Sequence, residues 1–260
     1  MLKCPNCNHL DIYHDDAGCK QASCGCIKTA KDLRGESRIP SFRSISNRTV
    51  WLVRFVIASI ICDIISIAIQ SYLTLSGEYN LQLDPILGVI TTFTSIIPIL
   101  AFIVSLFWYY RASKNIHSFG AKQVWRPILS IIWWFIPPLN LYLPYDVTQQ
   151  FWKASNPQTR LVIGKEWKDI ASSNMIKVWW ILFLSPLFGG LIFGLVYGVG
   201  LGLIPNDVEE ESFMQSTKSL LVFSMVFIAF SIASIISYIY FIKIIRQIST
   251  WQELKSGISI

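Results

Sequence analysis

Four long apolar blocks, at roughly 50–75, 85–110, 176–205 and 219–242, constrain this chain more than any other feature. Each is longer than the ~20 residues a helix needs to cross the hydrocarbon of a bilayer. A soluble protein would have to cover all four with polar surface, and the chain is short of the residues to do so. Only 15% of its 260 residues are charged, against about 25% in soluble domains. The sequence therefore predicts an all-α integral membrane protein with four transmembrane helices. The first block starts near Val50, too late for a cleavable leader of about 15–30 residues. The first helix is thus expected to act as an uncleaved insertion signal.

Charge placement sets the expected orientation. Lys31, Arg34, Arg38, Arg43 and Arg48 precede the first block, the stretch from Arg111 to Lys177 is basic, and Lys243, Arg246 and Lys255 follow the last block. The connection from Leu75 to Pro85 has neither Lys nor Arg, and that from Asn206 to Lys218 sets Asp207, Glu209, Glu210 and Glu211 against one lysine. Lys and Arg near membrane helices stay on the cytoplasmic side. Both termini are therefore expected in the cytoplasm, with the two lysine-poor connections outside.

Three regions follow: a polar, cysteine-dense module over 1–28, a charged and Ser-rich linker over 29–48, and a membrane body over 49–260. Inside the body, Pro127 to Tyr145 carries no charge and is long enough to cross, yet Pro137, Pro138 and Asn140 interrupt it. A crossing there would put Lys153, Arg160, Lys165 and Lys168 outside and the acidic connection inside. Entry and return preserves the charge bias, so 124–155 is expected to be a re-entrant, interfacial segment. A short helix over Val124–Ile136 would end at the prolines, which cannot donate backbone hydrogen bonds. Asn140 is placed to bond a freed carbonyl, as backbone at membrane depth requires. Beyond Pro144, Val147, Phe151 and Ala154 share one face of a helix expected to lie along the inner surface, with Trp152 at headgroup depth.

The same region carries a family resemblance. The ordered residues Tyr110, Arg111, Asn115, Gly120, Trp134, Phe135, Pro137, Asn140, Leu141, Pro144, Tyr145, Trp152, Ala154 and Ser155 resemble the signature of the bacterial membrane family called domain of unknown function 4328. Two places depart from its usual pattern: "RPILSII" stands where a small polar run is common, and Leu143 where a basic residue is. The resemblance implies a multi-pass protein of the bacterial inner membrane and no particular activity.

Five of the six cysteines lie in "CPNCNHLDIYHDDAGCKQASCGC": Cys4, Cys7, Cys19, Cys24 and Cys26, together with His9 and His14. Cys-x2-Cys lets two thiolates from one tight turn grip one metal, and a second pair completes tetrahedral Zn coordination. Here the second half reads Cys-x4-Cys-x-Cys, so Cys4 and Cys7 are firm candidates while Cys19 competes with Cys24 and Cys26. A disulfide framework needs an oxidising compartment, which conflicts with the expected cytoplasmic placement. A zinc-ribbon-like module, folded by its metal, is the expectation. Cys62, in the first apolar block, reads as a packing residue.

Within the first block Asp63 lies near the expected bilayer midplane, and Ser59, Asp63, Ser66 and Gln70 follow a 4-3-4 spacing that lines one helical face. An ionisable residue there is a functional candidate; Thr91, Ser95 and Ser105 in the second block are its candidate partners. Gly190, Gly194, Gly198 and Gly202 repeat every four residues, a pattern that permits close helix approach within the chain or in a homo-oligomer. No Walker loop, His-Glu-x-x-His or Gly-x-Ser-x-Gly occurs, so the expectation is a non-enzymatic protein. Its cytoplasmic zinc module would bind a protein partner, ahead of nucleic acid. The alternative is a small transporter or channel using Asp63 and the re-entrant segment.

Overall fold

The computed structural model describes residues 4, 7–10, 14–15, 18–19, 26, 41–76, 85–121, 124–158, 166–202 and 217–257. Two short strands, β1 (His14–Asp15) and β2 (Gly18–Cys19), pair antiparallel in the amino-terminal module. Everything else regular is helical: α1 (Ser46–Ser76), α2 (Pro85–Ser118), α3 (Leu129–Ile132), α4 (Leu143–Ser155), α5 (Asn174–Gly202) and α6 (Thr217–Lys255), with 3-10 turns at Leu139–Leu141 and Glu166–Asp169. Among the described residues three helices are long and apolar enough to cross a membrane, Ser46–Leu75, Gly88–Ser118 and Val222–Lys255. The remaining apolar block forms α5, whose sequence has no charged residue after Lys177. The acidic connection over 206–216 and most of the expected linker lie outside the described residues.

Helix boundaries depart from the apolar blocks in a consistent direction. α1 starts at Ser46, inside the expected linker, α2 runs to Ser118, and α6 continues to Lys255. These extensions are charged sequence, but each keeps a buried stripe. In α2 Ala112, Asn115 and Ile116 are buried, with Phe119 just past its end, and in α6 Ile244, Ile245, Ile248 and Gln252. Those spacings place each set on one helical face, so packing carries the helices beyond the apolar blocks.

The chain divides into two compact units. The first comprises 1–52, 104–176 and 243–260. Its apolar centre is aromatic. Trp108 packs edge-on to Tyr109 and Phe151, and Trp134 packs edge-on to Tyr109. Trp152 meets Trp251 at 4.5 Å between ring centroids. The buried face of α4 is Val147, Phe151 and Ala154, as its periodicity predicts. Protein covers that face, and Trp152 packs against Trp251.

The second unit comprises 53–103 and 177–242. Trp179 stacks on Phe241 at 5.2 Å between centroids, and Ser237 Oγ donates to the Trp179 carbonyl. In α5 a Cβ on Gly189 would collide with the Phe230 ring, whereas one on Gly190 would meet nothing within 4 Å. Of these two glycines, Gly189, one residue before the four-residue period, is the one on which Phe230 packs closely. Gly194, Gly198 and Gly202 continue along the same helix.

The segment over 124–150 turns back on itself. Trp125 Nε1 donates to Asp146 Oδ2 at 2.9 Å, and the Trp125 backbone N–H donates to Gln150 Oε1 at 3.2 Å. A continuous helix from Trp125 to Asp146 would hold its ends roughly 30 Å apart. The return uses less helix than the sequence suggested. Within the expected Val124–Ile136 helix only Leu129–Ile132 is α-helical, turns follow, and Pro137-Pro138 is a cis bond. Main-chain bonds resume just past the prolines: Asn140 N–H donates to Ile136 O at 2.9 Å, and Leu141 N–H to Pro138 O at 3.0 Å. Asn140, expected to bond a carbonyl freed by the prolines, makes its main-chain bond to that of Ile136 instead. Pro144 then sits in the first turn of α4, where its missing N–H costs nothing.

Reporters fused after Ala121 and after Asn156 should accordingly read out on the same side of the membrane. Opposite sides would mean that the intervening segment crosses.

Candidate functional site

The cysteine module draws its ligand-type side chains together. The Sγ atoms of Cys4, Cys7 and Cys26 lie within 4.8 Å of one another, and so do the donor atoms of Cys7, His9 and Cys19. Cys4 Sγ and Cys26 Sγ are 3.6 Å apart, and His9 Nδ1 is 3.4 Å from Cys19 Sγ. Tetrahedral zinc with bonds of about 2.3 Å would separate its sulfurs by about 3.8 Å. Backbone geometry builds this arrangement. Asn8 N–H donates to the Cys4 carbonyl and Cys4 N–H to the His9 carbonyl, each at 2.8 Å, and Asn8 takes φ +60°. That left-handed residue, tolerated by asparagine, closes the Cys-x2-Cys turn. On the other side Cys19 N–H donates to the Cys26 carbonyl at 2.8 Å. Cys26 joins Cys4 and Cys7, Cys19 comes to His9 and Cys7, and Cys24 lies outside the described residues. Among the described residues Cys4, Cys7, Cys19, Cys26 and Cys62 form no disulfide.

A second constellation, in the first unit, is built from the motif residues. Asn115 on α2 is fully buried. Its Nδ2 donates to the Arg43 carbonyl at 3.1 Å and to Gln252 Oε1 at 2.9 Å, while its Oδ1 accepts from the Arg43 N–H at 3.3 Å. Gln252 Nε2 in turn donates to Ser155 Oγ at 3.1 Å and to the Ala112 carbonyl at 3.3 Å. Arg111 Nη2 donates to the Ser41 carbonyl at 3.0 Å. Gly120 takes φ +79° as α2 ends, with Ala121 N–H donating to the Ile116 carbonyl, a Schellman closure that favours glycine. Trp134 packs on Tyr109, and Tyr145 OH accepts from Gln149 Nε2 at 3.3 Å. Phe135 is 61% exposed beside exposed Ile136, Leu139 and Tyr142.

Two members of this cluster escaped the sequence reading, Gln252 and its neighbour Glu253. Glu253 Oε1 accepts from Ser44 Oγ and the Ile45 N–H, each at 2.8 Å, and from the Ser46 N–H at 3.3 Å. The residue before α1 is Ile45, whose side chain cannot cap a helix, so the last helix supplies the acceptor for the first. A carboxylate at a helix N-terminus is also favoured by the helix dipole. No local pattern marks a pairing across more than two hundred residues.

In the second unit the polar face of α1 is partly answered. Gln70 Nε2 donates to Ser224 Oγ at 3.0 Å, and Thr74 Oγ1 contacts the same hydroxyl. The partner is thus α6. The hydroxyls of Thr91 and Ser95 instead bond carbonyls of their own helix, Gly88 and Thr91 respectively. Asp63 is half-buried, its Oδ2 has no hydrogen-bond partner among the described residues, and Tyr238 and Cys62 lie within electrostatic reach of it.

The helices that suit a bilayer, together with their apolar exposed faces, define a helical membrane protein. Residues 82–250 match the family described as domain of unknown function (DUF4328). That match takes in well over half of the chain, which therefore belongs to this family. No curated protein and no solved structure matches the chain.

Replacing Glu253 should separate acceptor from charge. Glu253→Ala leaves the buried Ile45 N–H without its acceptor, at a cost of about 1–3 kcal/mol. Glu253→Gln keeps an oxygen there and should lose less. Thermal unfolding in detergent should rank wild type above Gln above Ala; an Ala variant as stable as wild type would mean that the contact contributes nothing.

Proposed function

We propose that this is a non-enzymatic, four-span protein of the bacterial inner membrane whose cytoplasmic amino-terminal module binds one zinc ion and docks a protein partner. The observation that carries the reading is the convergence of Cys4, Cys7 and Cys26 within 4.8 Å, with Cys7 shared by a second group containing His9 and Cys19. Thiolate sulfurs at this spacing suit Zn, and a module with so little apolar sequence gains its folding free energy from the metal. Cys4, Cys7 and Cys26 supply three thiolates, and the fourth ligand would come from Cys19 or His9, which group with Cys7. The α5 block supports the fourth span, and the exposed Phe135, Ile136 and Leu139 at the tip of the returning segment support its entry into the bilayer. The placement of Lys and Arg supports both termini in the cytoplasm.

The full-length protein should purify with about one zinc per chain, and the Cys4→Ser/Cys7→Ser double variant with much less. Crosslinked partners captured from membranes with wild type should be missing with that variant. Zinc lost without any change in partners would leave the metal structural and end the docking reading; zinc absent from wild type would end both.

A second reading, transport through Asp63, draws on the unpartnered Oδ2 of that residue. A central membrane Asp costs about 2.5–3.5 kcal/mol on insertion scales, so its presence needs a benefit. Asp63→Asn in liposomes distinguishes the two. Unchanged stability and no flux in either form would assign Asp63 a packing role, whereas proton or ion flux abolished in a folded variant would make this a transporter.

A further inference from the structure

The first unit contains a strongly basic cleft next to the polar cluster, sharing Arg43, Ser44 and Arg111 with it. It has a volume of about 490 Å³ and is lined by Arg43, Arg48, Arg111 and Lys114, with Tyr110 beside them. Among the described residues no carboxylate pairs with any of these four cations. Glu253, which reaches this end of the chain, directs Oε1 to Ser44, Ile45 and Ser46, while its buried Oε2 has no hydrogen-bond partner among the described residues. Lys114 Nζ lies 4.5 Å over the Tyr110 ring, and Arg48 Nη1 approaches the Phe107 carbonyl at 3.4 Å.

Orientation in a membrane accounts for exposed Arg43 and Arg48, but not for Arg111. That side chain is only 7% exposed, and burying a guanidinium without a counter-charge is costly. One of its nitrogens, Nη2, is satisfied by the Ser41 carbonyl, while its Nε has no hydrogen-bond partner. A buried donor left open, in a cleft where like charges repel, lacks an anion. Apolar side chains line the same cleft: Phe107, one turn from Arg111 on α2, with Ile128 and Ile131, and Phe107 and Ile128 are more than half exposed. A ligand with a phosphate at one end and hydrocarbon beyond it would satisfy both kinds of lining.

We infer that this cleft binds a phosphate group through Arg43, Arg48, Arg111 and Lys114, with the apolar lining favouring an anionic phospholipid headgroup over a free phosphate compound. Guanidinium forks suit phosphate oxygens, with charge-assisted bonds stronger than neutral ones, and basic pockets beside membrane helices on the cytoplasmic side are a recurring way to hold anionic lipids. This inference is independent of the cysteine module.

The test uses the full chain in detergent, titrated separately with short-chain phosphatidylglycerol, short-chain phosphatidylcholine and inorganic phosphate, with binding read by native mass spectrometry and thermal shift. Phosphatidylglycerol should bind at least tenfold more tightly than phosphatidylcholine, and the preference should fall about tenfold or more in Arg43→Gln/Arg48→Gln. Both positions are exposed, so this variant should fold as wild type does. Arg111→Gln should abolish the preference too, but the double variant keeps the test valid should Arg111→Gln fail to fold. Inorganic phosphate binding with the same arginine dependence, without any gain from the lipid, would keep the phosphate site and assign it a soluble ligand. Neither ligand binding, or binding unchanged by the arginine substitutions, would overturn the inference.

Discussion

Asn115, Gln252 and Glu253 hold together three parts of the chain that share no sequence neighbourhood: the stretch before α1, the end of α2 and the end of α6. Each is at least nine-tenths buried, and buried polar groups are costly unless bonded. Their bonds are therefore directional constraints. Asn115 reads both the N–H and the carbonyl of Arg43, as a neighbouring strand would, which fixes the register of the segment leading into α1. Glu253 then supplies the acceptor at the start of that helix. Apolar contacts such as those of Ile244 and Ile248 add stability but tolerate sliding; the amide and carboxylate contacts do not. The helix extensions beyond the apolar blocks depend on this cluster for their alignment.

The motif over 108–155 gains a physical explanation from the same frame. Asn115 and Arg111 tie α2 to the chain before α1, Gly120 ends α2 in a conformation that side chains resist, and Trp134 packs on Tyr109. Pro137 marks the turn, and Pro144 starts the helix that carries Trp152 to Trp251. These are roles in building and returning a segment. Arg111 and Tyr110 of the same motif also line the basic cleft.

Legibility in the sequence followed the range of the interaction. The apolar blocks, the return of 124–150 and the buried face of α4 were all readable, because hydropathy, proline and helical period act over a few residues. Cysteine grouping was readable for another reason: metal chemistry restricts the residue type, so identity alone carries information. Gln252 and Glu253 were not readable, since a glutamine and a glutamate near a helix end look like solvated surface until their distant partners are known. Gln70 shows the same limit. Its face was recognised, but its partner was sought in α2, while Ser224 of α6 supplies the bond. Gly189 lay outside the glycine period, yet Phe230 approaches it closely, a contact set by one large ring that no repeating stripe announces.

The chemistry of the cluster also bears on how a protein built this way can vary. Arg111 ends on the Ser41 carbonyl, Asn115 on that of Arg43, Gln252 on that of Ala112, and Lys255 on that of Ala154. In each case the donor is a side chain and the acceptor is main chain. A carbonyl is offered by every residue type, so Ser41, Arg43, Ala112 and Ala154 can change without loss of the acceptor. The donors cannot change so freely, because each needs an N–H at a given reach. The asymmetry is sharpest at Arg43, whose backbone is fully engaged by Asn115 while its side chain lines the basic cleft. Its main chain serves the fold and its guanidinium is left for a ligand, so a substitution there can alter binding while the bonds that align α1 persist.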